Sequence, residues 1–407
     1  MIKFFEPYSK GFSLRLFFAL VVISALVLPV GCGAPTLKTP EISSIDARRE
    51  AEKQRELAFQ VYVKRQEKLY GMGWPLLVSG AALCQSNDAR VGVEYGFLIH
   101  DRSLYHKDFR DAADEYFDLG DDVSVRYVHP KFPAWEAGLR RGDVIISVNG
   151  VDVIRKERER PERDDDISKE IRKYKDKVSV RVKEKGAEQV RKIIKNADVE
   201  KGVTFVVERD GTESEITVKG SAACAFNVVL VTDDAVNAFA DGKNVVITTG
   251  MMRFTETMEE LSIVVAHEIA HNALSHIDKK KKNAMMGTVL DMLLLYGVGI
   301  NTQGMFGQSG AMKYSQEFES EADYAGLYIA ARAGYDISEA PYFWRRMAVE
   351  HPGAIKDSYN STHPSAPKRF LALDETIREI EDKRQRGEEL LPELLPETDK
   401  SRKEKKD

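Results

Sequence analysis

"VVAHEIAHNALSH", residues 264–276, places two histidines four apart with a glutamate directly after the first. On a helix, His267 and His271 stand one turn apart on one face, where two imidazoles can reach a single tetrahedral ion. Glu268 projects beside them, placed to work on a water held by that ion. The flanking Val264, Val265, Ala266, Ile269 and Ala270 are apolar or small. Imidazoles buried among such residues need polar partners, and a metal supplies them. The chain has 8 histidines in 407 residues. At that frequency the pair with its glutamate arises by accident on the order of 0.01–0.02 times, so chance is a poor explanation. Thr257 and Glu260 form a capping box that opens the helix. His276, five residues beyond His271, turns away from the pair's face on a continuous helix and is read as structural or solvent-facing.

A third ligand is sought in "SQEFESEADYAGLYIAARAGYD", residues 315–336. Ser315 is a plausible N-cap and Gly334 a plausible C-terminal stop. Three glutamates compete. Glu319 shares a helix face with Ala322, Asp323, Gly326 and Ala330, small residues that let a neighbouring helix come close. Glu317, Glu321 and Tyr324 lie more to the opposite side, suited to solvent. Glu319 is therefore the expected third ligand, with Asp323 one turn later as an acceptor for a ligand histidine.

H-E-x-x-H followed by E-x-x-A-D on a later helix resembles the gluzincin family that includes the CAAX prenyl protease and the HtpX heat-shock protease. "NAFADGKNVVITTGMM", residues 237–252, and "STHPSAPKR", residues 361–369, are similar to stretches of that family as well. The resemblance covers about residues 226–373. It implies one zinc ion held by His267, His271 and Glu319, with Glu268 as general base for peptide hydrolysis. By the same resemblance His363 reaches the metal, as a donor to the oxyanion or as a reversible fourth ligand that silences the site. Arg369 is placed with Asp323 behind the ligands, where it could stabilise the same loop or the oxyanion. Val245, Val246, Ile247, Thr248 and Thr249 form a strand expected to be the edge to which an extended peptide pairs. Residues 279–315 are read as a buried helix and connector, or as a lid over the cleft.

Upstream, "FPAWEAGLRRGDVIISVNG", residues 132–150, reads as a short helix ended by Gly138, a turn at Gly142-Asp143, a strand and a tight Asn149-Gly150 hairpin turn. This resembles the PDZ domains of bacterial exported proteases, and "EYGF", Glu94–Phe97, looks like their carboxylate loop. The resemblance implies a groove for peptide C-termini. The charge-rich stretch about 155–201 is read as a solvated insertion.

Lys3, Lys10 and Arg15 precede the apolar run Leu16–Val30, which suits a signal peptide core better than a membrane span. It ends at "GCGA", similar to a bacterial lipoprotein signal in which Cys32 is acylated. That leaves Cys84 and Cys224, which an oxidising compartment is expected to pair.

The fold class expected is α+β: a mainly helical zincin-type metallopeptidase domain with a small edge-strand sheet, preceded by a β-rich PDZ-like domain. The divisions expected are a signal peptide at 1–31, a lipid-anchored tether at 32–44, a helical segment at 45–89, a PDZ-like domain at 90–220, a metallopeptidase domain at 221–375, and a C-terminal helix and disordered tail at 376–407. Within 45–89, a helix over about 45–70 is followed by a second apolar stretch. With 43% hydrophobic residues, 31% charged and a net charge of −5, basic and acidic residues are interleaved, so no nucleic-acid partner is expected. The expected function is zinc-dependent endoproteolysis of unfolded or misassembled proteins in the bacterial cell envelope, facing the periplasm, with the outer membrane favoured. The alternatives are a chaperone or assembly factor with its zinc silenced by His363, and a PDZ-led adapter with a structural metal. A structural zinc site has four protein ligands and no adjacent base, so Glu268 speaks against the last.

Overall fold

The computed structural model describes residues 37–120, 122–153, 186–198, 200–298, 302–305, 315–350 and 367–393. The expected signal segment, Cys32, His363, most of the charged insertion and the end of the tail lie outside these. The chain divides into two compact units, residues 1–53 and 54–407. Of the first, the described part is an exposed stretch and the opening turns of helix α1 (Ser44–Ser79), capped where the Asp46 amide donates to Ser43 Oγ at 3.1 Å. Among the described residues no helix is long and apolar enough to cross a membrane.

In the second unit α1 continues through Pro75 instead of stopping near residue 70. A proline removes one helical hydrogen bond, and the burial of Leu69, Met72, Trp74, Leu76 and Leu77 around it offsets that loss. Helix α2 (Ala81–Ser86) follows, and its Cys84 is disulfide-bonded to Cys224, 140 residues on. The bridge joins α2 to an antiparallel ribbon of β1 (Val91–Glu94) and β8 (Ser221–Cys224).

The β-rich domain is a six-stranded antiparallel sheet of β2 (Phe97–His100), β3 (Ser124–Val128), β4 (Val144–Val148), β5 (Val151–Asp152), β6 (Val203–Arg209) and β7 (Thr212–Val218). Its order is β2-β3-β4-β6-β7, with β5 paired only to β4. Helix α3 (Arg110–Phe117) and the short α4 (Pro133–Glu136) lie between strands in sequence. Helix α5 (Gly186–Lys195) buries Ala187 and Val190 in the sheet's core with Ile145, Phe205 and Val207. The stretch expected to be a solvated insertion up to 201 therefore contains a helix of the domain core, because an apolar stripe recurs among its charges. Buried Asp143 holds the strand-leading turn to β6 through a two-pronged contact with Arg209, at 2.6 and 2.7 Å.

The peptidase part begins with a three-stranded sheet of β9 (Asn227–Val231), β10 (Ala238–Ala240) and β11 (Asn244–Thr248), in the order β10-β11-β9. Strand β11 pairs parallel to β9 and antiparallel to β10, so it is the central strand. This corrects the expectation for Val245, Val246, Ile247, Thr248 and Thr249. The first four lie in a fully paired strand, and Thr249 already starts helix α6 (Thr249–Phe254). Central placement is why this run is continuously apolar, since both its faces are covered. The edges are β9 and β10.

Helix α7 (Met258–Ala273) carries the quoted stretch and is opened by the Thr257 cap, whose Oγ accepts from the Glu260 amide. Then come α8 (His276–Val298), α9 (Ser315–Arg332), α10 (Ala340–Glu350) and α11 (Pro367–Arg386). Helix α11 is continuous across residue 375, where a domain boundary was expected. Helix α8 is not the buried helix expected of its apolar run: Met285, Met286, Val289, Met292 and Leu293 are exposed.

From Gln54 onward α1 ties the two domains together. Arg126 of β3 donates to Gln66 at 2.5 Å, and the His129 ring meets the Gly71 carbonyl at 2.9 Å. On the other side the Tyr62 hydroxyl donates to the Leu230 carbonyl of β9 at 3.2 Å. The disulfide closes the same junction from below, constraining a long loop of the unfolded chain. Replacing Cys84 and Cys224 by serine should cost about 2–4 kcal/mol and lower the unfolding midpoint. A thermal melt of the oxidised protein against the double variant checks this, and identical midpoints would contradict it.

Candidate active site

Helices α7 and α9 cross at a point where α9 presents glycine. A Cβ built on Gly326 would stand 3.0 Å from the His267 amide nitrogen and 3.1 Å from its Cα. With Ala322 and Ala330 on the same face fully buried, the backbones approach closely. That approach faces His267 and His271 toward Glu319, two turns earlier on α9. All three are buried, at 2% exposure or less.

The donor atoms form a small triangle. His267 Nε2 and His271 Nε2 are 3.1 Å apart, and Glu319 oxygens lie 3.4 Å from the first and 3.5 Å from the second. Donors about 2.0–2.1 Å from a tetrahedral ion are spaced roughly 3.3 Å from one another, so these residues fit zinc. Among the described residues this is the one group of three such side chains that could hold a metal. Glu268 is buried beside it at 2% exposure.

Each histidine is held from behind. His267 Nδ1 lies 3.0 Å from Asp323 Oδ1, and Arg369 of α11 grips Asp323 with two hydrogen bonds of 2.7 and 2.9 Å. Arg369 also stands 3.5 Å from Glu319. Engaged with these carboxylates, it stands behind the donor residues with Asp323, where the sequence reading placed it, as a positioning group. Burial works against charge on His267, but the Asp323 and Glu319 contacts outweigh it and raise the imidazole to about 9. Burial likewise opposes ionisation of Asp323, yet Arg369 and His267 hold its carboxyl below the usual range. A cation held here would have to displace the proton from His267, so its affinity would rise with pH.

The second arm passes through His276, which the sequence reading set aside. Its Nδ1 is 2.9 Å from His271 Nδ1, and its Nε2 is 3.0 Å from Glu321 Oε2. With His271 Nε2 facing the triangle, its Nδ1–H donates to His276, whose Nε2–H donates in turn to Glu321. Helical arithmetic failed because the helix does not continue: Ser275 has φ +55° and α8 starts afresh at His276. His276 is fully buried against Phe318, ring centroids 4.6 Å apart, so it is not solvent-facing, and Glu321 has a partner where solvent was expected. Trp344 of α10, 5.1 Å from the His267 ring, and Lys280 Nζ, 3.7 Å from Glu319, complete the surroundings. Neither carried a sequence signal, since both arrive from separate helices.

Two histidines one turn apart, a carboxylate from a second helix and a glutamate beside the first histidine define the class of metal-dependent peptidases. Residues 200–377 match peptidase family M48, and residues 124–167 match the PDZ domain family. The chain carries an M48 peptidase domain preceded by a PDZ domain. The M48 match starts at residue 200, although β6 and β7 belong to the PDZ sheet.

Among similar proteins, mitochondrial metalloendopeptidase OMA1 of Schizosaccharomyces pombe is 28% identical over 42% of this chain and 52% of its own length. The protein of the same name from Arabidopsis thaliana is 31% identical over 37% and 31%. The beta-barrel assembly-enhancing protease of Yersinia pestis is 29% identical over 37% and 34%. The chain thus spans about half or less of the length of these relatives.

Two substitutions test the geometry. Gly326→Val should force α7 and α9 apart, cost about 1–3 kcal/mol and weaken zinc binding. His276→Ala should leave the fold intact and weaken zinc binding about 10–100-fold. Competition with a chromophoric chelator measures both; unchanged affinity in His276→Ala would remove that arm from the site.

Proposed function

We propose that the protein is a zinc-dependent endopeptidase that cleaves unfolded or misassembled proteins in the bacterial cell envelope. The observation that carries this reading is the buried triangle of His267, His271 and Glu319 with Glu268 beside it. His267, His271 and Glu319 would hold a zinc ion, which would supply Lewis acidity to the scissile carbonyl and to water. The chain's own residues do the rest. Glu268 takes a proton from water as its oxygen attacks the carbonyl carbon, then passes that proton to the leaving nitrogen as the C–N bond breaks. Asp323 and Arg369 hold His267 in its ligating orientation, and His276 does the same for His271. Strand β10 is an outer edge of its sheet, so the backbone of Ala238–Ala240 is the edge on which an extended substrate pairs, in place of β11. Recognition through backbone hydrogen bonds favours unfolded chains over one side chain.

The location rests on separate observations. The basic and apolar start of the chain supports export, and "GCGA" supports acylation of Cys32, which would hold the protein at a membrane surface, with the outer membrane favoured. The Cys84–Cys224 disulfide supports an oxidising compartment such as the periplasm. His363 is kept as a partner of the metal by resemblance, either assisting the oxyanion or silencing the site.

Glu268→Gln should keep zinc and lower cleavage of an unfolded casein substrate by about 10²–10⁴-fold. Chelation should abolish cleavage and added zinc restore it. Wild-type rates in Glu268→Gln would sink the mechanism.

A further inference from the structure

Strand β2 ends the PDZ sheet, and along its outer side runs a cleft of about 550 Å³ that includes Leu98, Ile99 and Arg191. These same three residues also line a second cavity of about 770 Å³, so the space continues along the strand. That far end reaches Thr232 and Arg253 of the peptidase part. At the near end it continues past the loop at the head of β2 to Gly92 and Asn227. A chain lying in this cleft therefore has room on both sides of the loop.

The loop itself is Glu94–Phe97. Gly96 has φ +79°, and a Cβ there would stand 2.2 Å from Phe132 Cβ, so only glycine fits. The loop is pinned from below: the His129 amide donates to the Gly96 carbonyl at 2.8 Å, and the Ala134 amide to the Tyr95 carbonyl at 3.1 Å. With its carbonyls held this way, the loop presents successive amides as a nest of the kind that binds an anion. The anion in it belongs to the chain. The Gly96 amide donates to Glu94 Oε1 at 2.9 Å, and the Tyr95 amide supports the same carboxylate.

A peptide ending in this nest would bring a second carboxylate against the first. The site tolerates one negative charge poorly, since burial pushes the Glu94 carboxyl up to about 7 despite the Gly96 and Tyr95 amides. Arg191 is committed to the Ile99 carbonyl at 3.2 Å, on the strand instead of the loop.

We propose that Glu94 acts as a built-in carboxylate that excludes chain ends, so that the cleft along β2 receives internal, extended segments of a polypeptide. This reverses the expectation that the groove takes peptide C-termini, because the feature that would bind them is already filled. The inference concerns binding alone and stands whether or not the metal site hydrolyses what is bound.

The test uses the full chain carrying Glu268→Gln, so that bound peptides survive. Two random peptide libraries are panned against it, one displayed with free C-termini and one embedded within a carrier loop. The same is done with Glu94→Ala and Glu94→Gln added. With Glu94 present, the embedded library should enrich and the free-end library should not. Glu94→Ala should newly enrich free-end peptides that bind it at least tenfold more tightly than they bind the Glu94 protein, by fluorescence anisotropy. Their C-terminal amides should lose that gain. Glu94→Gln retains an acceptor for the Gly96 amide and should fall between the two, which decides the matter if the alanine variant does not fold. Free-end peptides enriched by the Glu94 protein and lost on amidation would overturn the proposal, and so would the absence of enrichment from the embedded library.

Discussion

The close approach of α7 and α9 at Gly326 is the contact on which the rest of the site depends. Two helices normally keep their axes 8–10 Å apart because side chains stand between them. Here the face of α9 made of Ala322, Gly326 and Ala330 holds nothing larger than a methyl group, and the His267 backbone lies directly against it. Only at such a separation can a carboxylate two turns away on α9 stand 3.4–3.5 Å from both imidazoles.

Burying so many ionisable groups together is costly unless each has a partner. The site meets this with two arms of hydrogen bonds that reach outward from the histidines. One runs through Asp323 to Arg369 and enlists α11; the other runs through His276 to Glu321 and uses the start of α8. Each arm fixes which ring nitrogen carries a proton, leaving the other to face the centre of the triangle. Segments far apart in sequence are thus tied to one point. The α1 strut and the Cys84–Cys224 bridge then set the PDZ sheet against this frame.

Much of the site was legible because its signals are local. Histidines at i and i+4 share a face of any helix, and small residues at 322, 326 and 330 mark a face that receives a neighbour. His276 stays outside the donor triangle, as expected, but its place behind His271 was missed because its offset was measured along a helix that ends at Ser275, where the backbone turns left-handed without a glycine to announce it. Strand β11 was taken for an edge because alternation and apolar content describe faces of a strand, not which neighbours lie beside it. The first helix was expected to end near residue 70, yet it runs on through Pro75 to Ser79, because the burial that compensates the proline comes from distant residues. The apolar run of α8 was taken as core, yet its side chains stand exposed.

The sequence by itself determined which residues meet in the triangle of His267, His271 and Glu319 with Glu268 beside it, the Thr257 helix cap, the turns and the order of a β-rich part before a helical one. These rest on spacing within a few residues, which backbone geometry translates directly into direction. Only the tertiary structure decided how the donors converge, which strands are edges, that His276 backs a ligand, and that Glu94 fills its own loop. Those outcomes depend on contacts between segments distant in the chain, where packing and hydrogen-bond satisfaction of the whole molecule choose among arrangements that the local pattern allows equally.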